Sequence, residues 1–374
     1  MFIAATTKSQ PLRPVAHRDG AKPIPRAYHG RAEPENDLKL YLLIGTILCV
    51  WICGAGMTLA QNTQEPQSLP RPPASVPSTD SPDTSPASVN FSGTWSPRSS
   101  LETGGGISRN SWTGDVGLRV PVVLNPDGPD LFAGFGFSYT GSYYHFSGQP
   151  SIVGSSRPWN QVNIGTVSAA LFAKVDDHWS AFAGFDVTSA GASGADMGQT
   201  FTYGGVLGAG YRFSDKLSVG LGLAAQSRLE DNPLVVPFPT FDWVLPFDQD
   251  RWRVFAGGGA GGSGAGGRTP GVGIGISYQP MRPLTLSAGI SSLGIANDFR
   301  LGPHAAAPNG VVRDEYSQLV LAANYQPGNH LSLTGFAGAD LPGKLKVISS
   351  TGNTLYSEHD SVTPVVGVSL DWRF

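Results

Sequence analysis

Charge is what this sequence has least of. Asp, Glu, Lys and Arg make up 14% of the 374 residues, about half the share of an ordinary soluble domain. The net charge is -3 and the basic residues are scattered, so no cationic stripe exists for nucleic acid, and no acidic tail is present. Cysteine is nearly absent: Cys49 and Cys53 both lie in one apolar run. Once that run is removed, a disulfide scaffold and a thiolate metal site are excluded together. The sequence also lacks a Gly-x-Ser-x-Gly elbow, an HExxH helix and a phosphate-loop lysine motif, and no cofactor is expected. Gly257, Gly259 and Gly262 have the G-x-G-x-x-G spacing, but more glycine and then Arg268, Thr269 and Pro270 follow where a dinucleotide fold needs a helix.

Only one sustained hydrophobic run occurs, at 38–60, preceded in its core by Lys39 and closed by Thr58, Leu59 and Ala60. Small residues at the minus-three and minus-one positions make it a cleavable export signal. An uncleaved anchor is the alternative, and Trp51 and Ile52 are too bulky for a lipobox before Cys53. Residues 1–37 read as a disordered extension too long for a signal's basic start, which suggests translation from near Leu38. Residues 61–88 are rich in Pro, Ser, Thr and Asp and read as an extended periplasmic linker.

What the chain has in abundance is glycine, 49 residues, set into a period of two. Val272, Ile274, Ile276 and Tyr278 alternate with Gly273, Gly275, Ser277 and Gln279, one set on each face of a strand. The same alternation runs through 201–213 and 217–224, and strands are expected near 111–124, 131–146, 160–175, 179–190, 252–260, 284–297, 312–326 and 331–342. Residues 234–247 carry Pro237, Pro239 and Pro246 and read as an irregular strand or an inserted loop. The polar-side residues are mostly Gly, Ser, Thr and Ala, and Arg212, Lys216 and Arg228 fall on that side. A charge on the lipid face at mid-depth would cost about 2–4 kcal/mol.

Tight turns are expected at 125–130, 176–178, 214–216, 247–250, 280–283 and 327–330, with long loose stretches between them at 147–158, 190–200, 261–270, 298–311 and 343–360. Such alternation suits short periplasmic turns and long outer loops. With a further strand at 89–95, the domain 89–374 is expected to be an all-β, antiparallel transmembrane β-barrel of about 14 strands, within 12 to 16. Aromatics near strand ends, among them Trp179, Tyr211, Trp252, Tyr278 and Trp372, would form interface girdles against outer-membrane lipid.

At the C-terminus Val366, Val368, Leu370, Trp372 and Phe374 alternate with Gly367, Ser369, Asp371 and Arg373. This resembles the terminal signature of bacterial outer-membrane barrels, which implies the barrel-assembly machinery as a partner. The stretch 203–252, with Gly-Tyr-Arg-Phe-Ser-Asp-Lys at 210–216, Leu-Val-Val-Pro at 234–237 and Trp243, is similar to an uncharacterised family of outer-membrane barrels without assigned function. No site residues carry over from it.

Asp115, Arg119, Asp186, Arg212, Arg228, Arg253, Glu315 and Asp340 are the candidate lumen charges; they would pair structurally or form a ring that sets ion selectivity. His145, His178, His304, His330 and His359 sit singly in expected turns or loops, so neither a metal site nor a hydrolytic triad is indicated. The leading functional expectation is a passive pore for small solutes. A closed structural or surface-binding barrel is the alternative, followed by a barrel-borne lipid hydrolase.

Overall fold

The computed structural model describes residues 87–122, 130–148, 152–155, 157–258, 272–291 and 297–374. The N-terminal extension, the export signal, the linker up to residue 86, the 261–270 loop, Gly259, Gly262 and nearly all of the 125–130 turn lie outside the described residues.

Eighteen strands follow in order: β1 (Ala87–Ser100), β2 (Gly106–Val122), β3 (Asp130–Ser147), β4 (Gln161–Lys174), β5 (Trp179–Ala192), β6 (Phe201–Ser214), β7 (Leu217–Arg228), β8 (Asp231–Val244) and β9 (Trp252–Gly258); then β10 (Val272–Met281), β11 (Leu284–Ser291), β12 (Asn297–Arg300), β13 (Val311–Glu315), β14 (Gln318–Tyr325), β15 (Leu331–Asp340), β16 (Lys344–Ile348), β17 (Thr354–His359) and β18 (Thr363–Arg373). Among the described residues fourteen of them form the wall. β1 to β11 pair in sequence, β11 pairs with β14, β14 with β15, β15 with β18, and β18 with β1. Among the described residues the sheet therefore closes on itself, every wall strand having a partner on both sides.

Period-two chemistry decides which face turns outward. Phe91, Trp95, Val116, Phe135, Phe137, Val167, Leu207, Leu221, Ile274, Leu321, Val368 and Leu370 are all exposed. So wide an apolar surface would aggregate in water and is the surface of a barrel in lipid. Near the tight-turn end the outward aromatics pack in pairs: Trp179 on Tyr211 at 4.9 Å, Tyr211 on Phe213 at 4.8 Å and Trp252 on Tyr278 at 4.6 Å. A second set, with Trp112 on Tyr139 at 5.2 Å, lies farther along β2 and β3. Trp372 and Phe374 join the first girdle, ring centroids 6.2 Å apart, and the Phe374 N–H donates to the Ala87 carbonyl, tying the end of the chain to β1.

At 234–247 the strand reading holds and the inserted loop is corrected: β8 pairs with β7 without interruption from Leu234 to Trp243, and 245–247 enter the turn toward β9. The prolines are tolerated because of which way their nitrogens face. Val244 N–H donates to Lys216 on the β7 side and Leu245 N–H to Trp252 on the β9 side, so odd-numbered residues of β8 aim their nitrogens at β9. Pro237 and Pro239 thus remove donors from the β9 ladder alone. The described β8–β9 pairing accordingly stops at Phe241, one ladder position short of Pro239.

A second correction concerns 298–311 and 343–360, expected as loose loops. β12, β13, β16 and β17 pair as β12–β13–β16–β17; β13 leads into β14 through 316–317, β15 into β16 through 341–343 and β17 into β18 through 360–362. This flap bends across the mouth: Arg300 bridges Gly191 at the end of β5, on the opposite side of the wall from β14 and β15, and Leu101 bridges Asp360. Its Phe299, Leu301, Val312, Leu345 and Val347 pack with Ile107, Tyr144, Phe146, Trp159 and Val162. On its other face Val311 and Ile348 meet Leu229. Every residue of β13 is buried. The flap holds together because both faces are covered, as in a small domain core.

Candidate functional site: the lumen and its covered mouth

Side chains whose neighbours in sequence are the exposed apolar residues point inward, and all eight candidate charges outside the turns have that parity or lie in the flap. They do not form one ring. Toward the turn end, Arg253 pairs with Asp242 through both its Nε and Nη2, and Arg212 reaches Asp215 only at 4.0 Å. Arg119 lies over the Phe132 ring, 4.3 Å from its centroid. Midway, buried Asp115 stands opposite Asn90, and Asp186 accepts from Thr188 at 3.5 Å. Beneath the flap Asp340 accepts from Ser96 Oγ at 2.6 Å and Gln318 Nε2 at 2.5 Å, while Glu315 lies 3.6 Å from Lys346.

Between these levels the inner wall carries hydroxyl pairs, Thr113 with Thr140 at 2.8 Å and Thr166 with Thr188 at 2.9 Å. Each satisfies one polar side chain with its cross-strand neighbour without projecting far into the bore.

The densest charge cluster joins the flap to the wall. Arg109 of β2 holds Asp314 at 2.8 Å and Asp360 at 2.9 Å, and the Tyr144 hydroxyl donates to Asp314 at 3.1 Å. On the other flap face Arg313 holds Asp298 at 2.8 Å and Asp231 at 2.7 Å, where Arg228 also approaches Asp231 at 3.5 Å. Arg300 Nη1 binds Glu230 at 2.8 Å and the Asn309 carbonyl at 2.8 Å. Of these residues the sequence reading picked out only Arg228. The others lie at strand ends and in stretches read as solvated loops, where a charge carries no signal of its own. Only the pattern of apolar residues flanking them, such as Val311, Val312 and Val347, marks a buried strand.

The histidines are dispersed. His178 stacks on Tyr211, His330 contacts the Arg373 carbonyl through Nδ1, and His359 lies 3.6 Å from Glu102. Among the described residues no group of three His, Cys, Asp or Glu gathers for a metal ion.

Fourteen closed strands, a lipid-facing belt and an inward polar face define a transmembrane β-barrel of the bacterial outer-membrane type. No known protein family and no curated protein matches the chain. Solved structures that it is similar to are outer-membrane proteins. An outer membrane channel from Pseudomonas putida F1 is 12% identical with a TM-score of 0.38, over 84% of this chain and 99% of that one. The P. putida toluene transporter TodX is 10% identical with a TM-score of 0.37, over 79% and 91%. The KdgM porin, in complex with disordered oligogalacturonate, is 10% identical with a TM-score of 0.31, over 77% and 99%. At these scores nothing about solute or residues passes from them to this chain, and the barrel class rests on the strand pairing.

Proposed function

We propose that this chain is a passive outer-membrane channel for small solutes whose outer mouth is covered by the β12–β13–β16–β17 flap. The observation that carries the reading is the inner wall. Barrels of about eight strands are filled by their own side chains, whereas those of about 16–18 leave an aqueous bore. Here fourteen strands turn Gly, Ser, Thr and Ala inward at many positions, and inward rings such as Phe238, Phe255 and Phe336 lie over facing glycines, so side chains take little of the width. The charges cluster in layers along the axis, and the lower ones, Arg212, Arg253 and Asp242, border the turn-side opening, where they would bias ion passage. With Phe374 at the periplasmic side, the tight turns are periplasmic and the flap faces the outside.

The second reading, a closed surface barrel, is favoured by one observation: the flap is buried on both faces. Purified protein in planar bilayers separates the two. Arg109→Ala strips the guanidinium from buried Asp314 and Asp360, a loss of about 3–5 kcal/mol for a broken buried pair, and should loosen the flap. Current steps in the wild type that become larger or more frequent in this variant are expected. Bilayers that stay sealed with both proteins would leave the closed barrel as the function.

A further inference from the structure

The register of β2 to β8 sets two adjacent inward rows side by side. One row runs Pro121–Phe132–Phe172–Phe182–Gly208–Gly222–Phe238, each residue the direct cross-strand partner of the next. The row beside it, two residues nearer the flap on β2, runs Arg119–Gly134–Ala170–Gly184–Val206–Ala224–Val236 in the same register. Thirteen of these fourteen positions are apolar. The rows bordering the pair bring polar side chains back: Ser168, Asp186 and Gln226 among Gly117, Gly136, Gly204 and Leu234 on the flap side, and Asp130, Lys174, Ser180 and Thr240 beside Gly210 and Gly220 on the turn side. The band is therefore a bounded feature of the lumen and no general greasiness of it.

Its rings are seated on the wall. Phe182 and Phe238 lie against Gly208 and Gly222, where a Cβ would collide with the rings, and their centroids are 6.4 Å apart. Phe132, Phe172 and Phe182 remain half-buried, with ring surface toward the lumen. At the β2 end stands the band's single charge. The Arg119 guanidinium rests on the Phe132 ring, and its buried Nε has no hydrogen-bond partner.

We infer that this band is a binding track for a small aromatic carboxylate, with the ring on Phe132, Phe172 and Phe182 and the carboxylate on Arg119. Stacking on exposed rings selects a flat apolar body. A planar guanidinium selects a carboxylate over a neutral group, because the two match as a fork. The inference names the solute class of the channel proposed above and rests on that reading for its purpose, though not for its geometry.

Saturation-transfer NMR on the full barrel in detergent, with benzoate, benzamide and acetate as probes, tests it. Benzoate should bind about tenfold more tightly than benzamide or acetate. Arg119→Gln should reduce benzoate to the level of benzamide, and Phe172→Ser with Phe182→Ser should reduce it to the level of acetate. Retained heat-modifiable migration on gels shows that each variant folds, and Phe182→Leu, which keeps the apolar volume, should retain part of the affinity. Equal binding of the three probes, or benzoate binding untouched by Arg119→Gln, overturns the track. Benzoate binding by a protein that passes no current overturns the channel and leaves the track standing.

Discussion

Phe238 is almost fully buried although it faces the bore of the barrel. It can be, because its direct partner on β7 is Gly222, and the ring takes the space a side chain would occupy. The arrangement recurs at Phe255 on Gly275 and Phe336 on Gly367. A bare glycine weakens a strand through entropy and lost packing, and a ring laid over it recovers contact. Gly222→Val should push Phe238 off the wall and cost about 1–3 kcal/mol as overpacking. The urea concentration at which the heat-modifiable band is lost would report it. A midpoint equal to the wild type's would show that the ring is not held by the glycine.

At the scale of elements, β8 shows how one strand serves two neighbours differently. Its even-numbered N–H groups complete the ladder to β7, while Pro237 and Pro239 take two donors from the β9 side. Pro239→Val restores an N–H opposite Gly258, and a single added backbone hydrogen bond is worth about 1 kcal/mol. Slower amide exchange at residues 239–241 is the expected result, and unchanged exchange at Phe241 would mean that β9 diverges for another reason. The flap makes the complementary point. Its β13, β16 and β17 continue the wall's β14, β15 and β18 past short breaks, so its position over the mouth follows from the wall, and the Arg109 and Arg313 clusters fix it there. Buried ion pairs of this kind contribute specificity of position more than net stability, since their desolvation offsets much of their attraction.

For the molecule as a whole, closure depends on the last strand. β18 pairs with β15 along ten residues and with β1 along eight, so the terminal segment seals the wall between β15 and the first strand. Val366, Val368, Leu370, Trp372 and Phe374 all face outward and are exposed on the wall of the closed barrel. Deleting Phe374 removes the Ala87 hydrogen bond and a girdle ring. The variant should accumulate unassembled, read as loss of the heat-modifiable species in outer-membrane fractions. A normal yield of that species would show that closure does not need Phe374.

The sequence alone determined the wall. Alternation with period two is local, and lipid outside and small residues inside leave only one register of faces. That is why β3 to β7, β10 and β18 were legible nearly to their ends, with the strand number and the outward set of the last nine residues. Where the physics stopped being local, legibility stopped too. The direction of the proline nitrogens in β8 depends on which neighbour each odd residue faces, and only the paired sheet shows that. Arg109, Asp314 and Asp360 lie 205 and 46 residues apart along the chain, so no spacing could join them. Tertiary structure also decided that Phe132, Phe172, Phe182 and Phe238 share one row, because register across seven strands is set by how the whole barrel staggers as it closes.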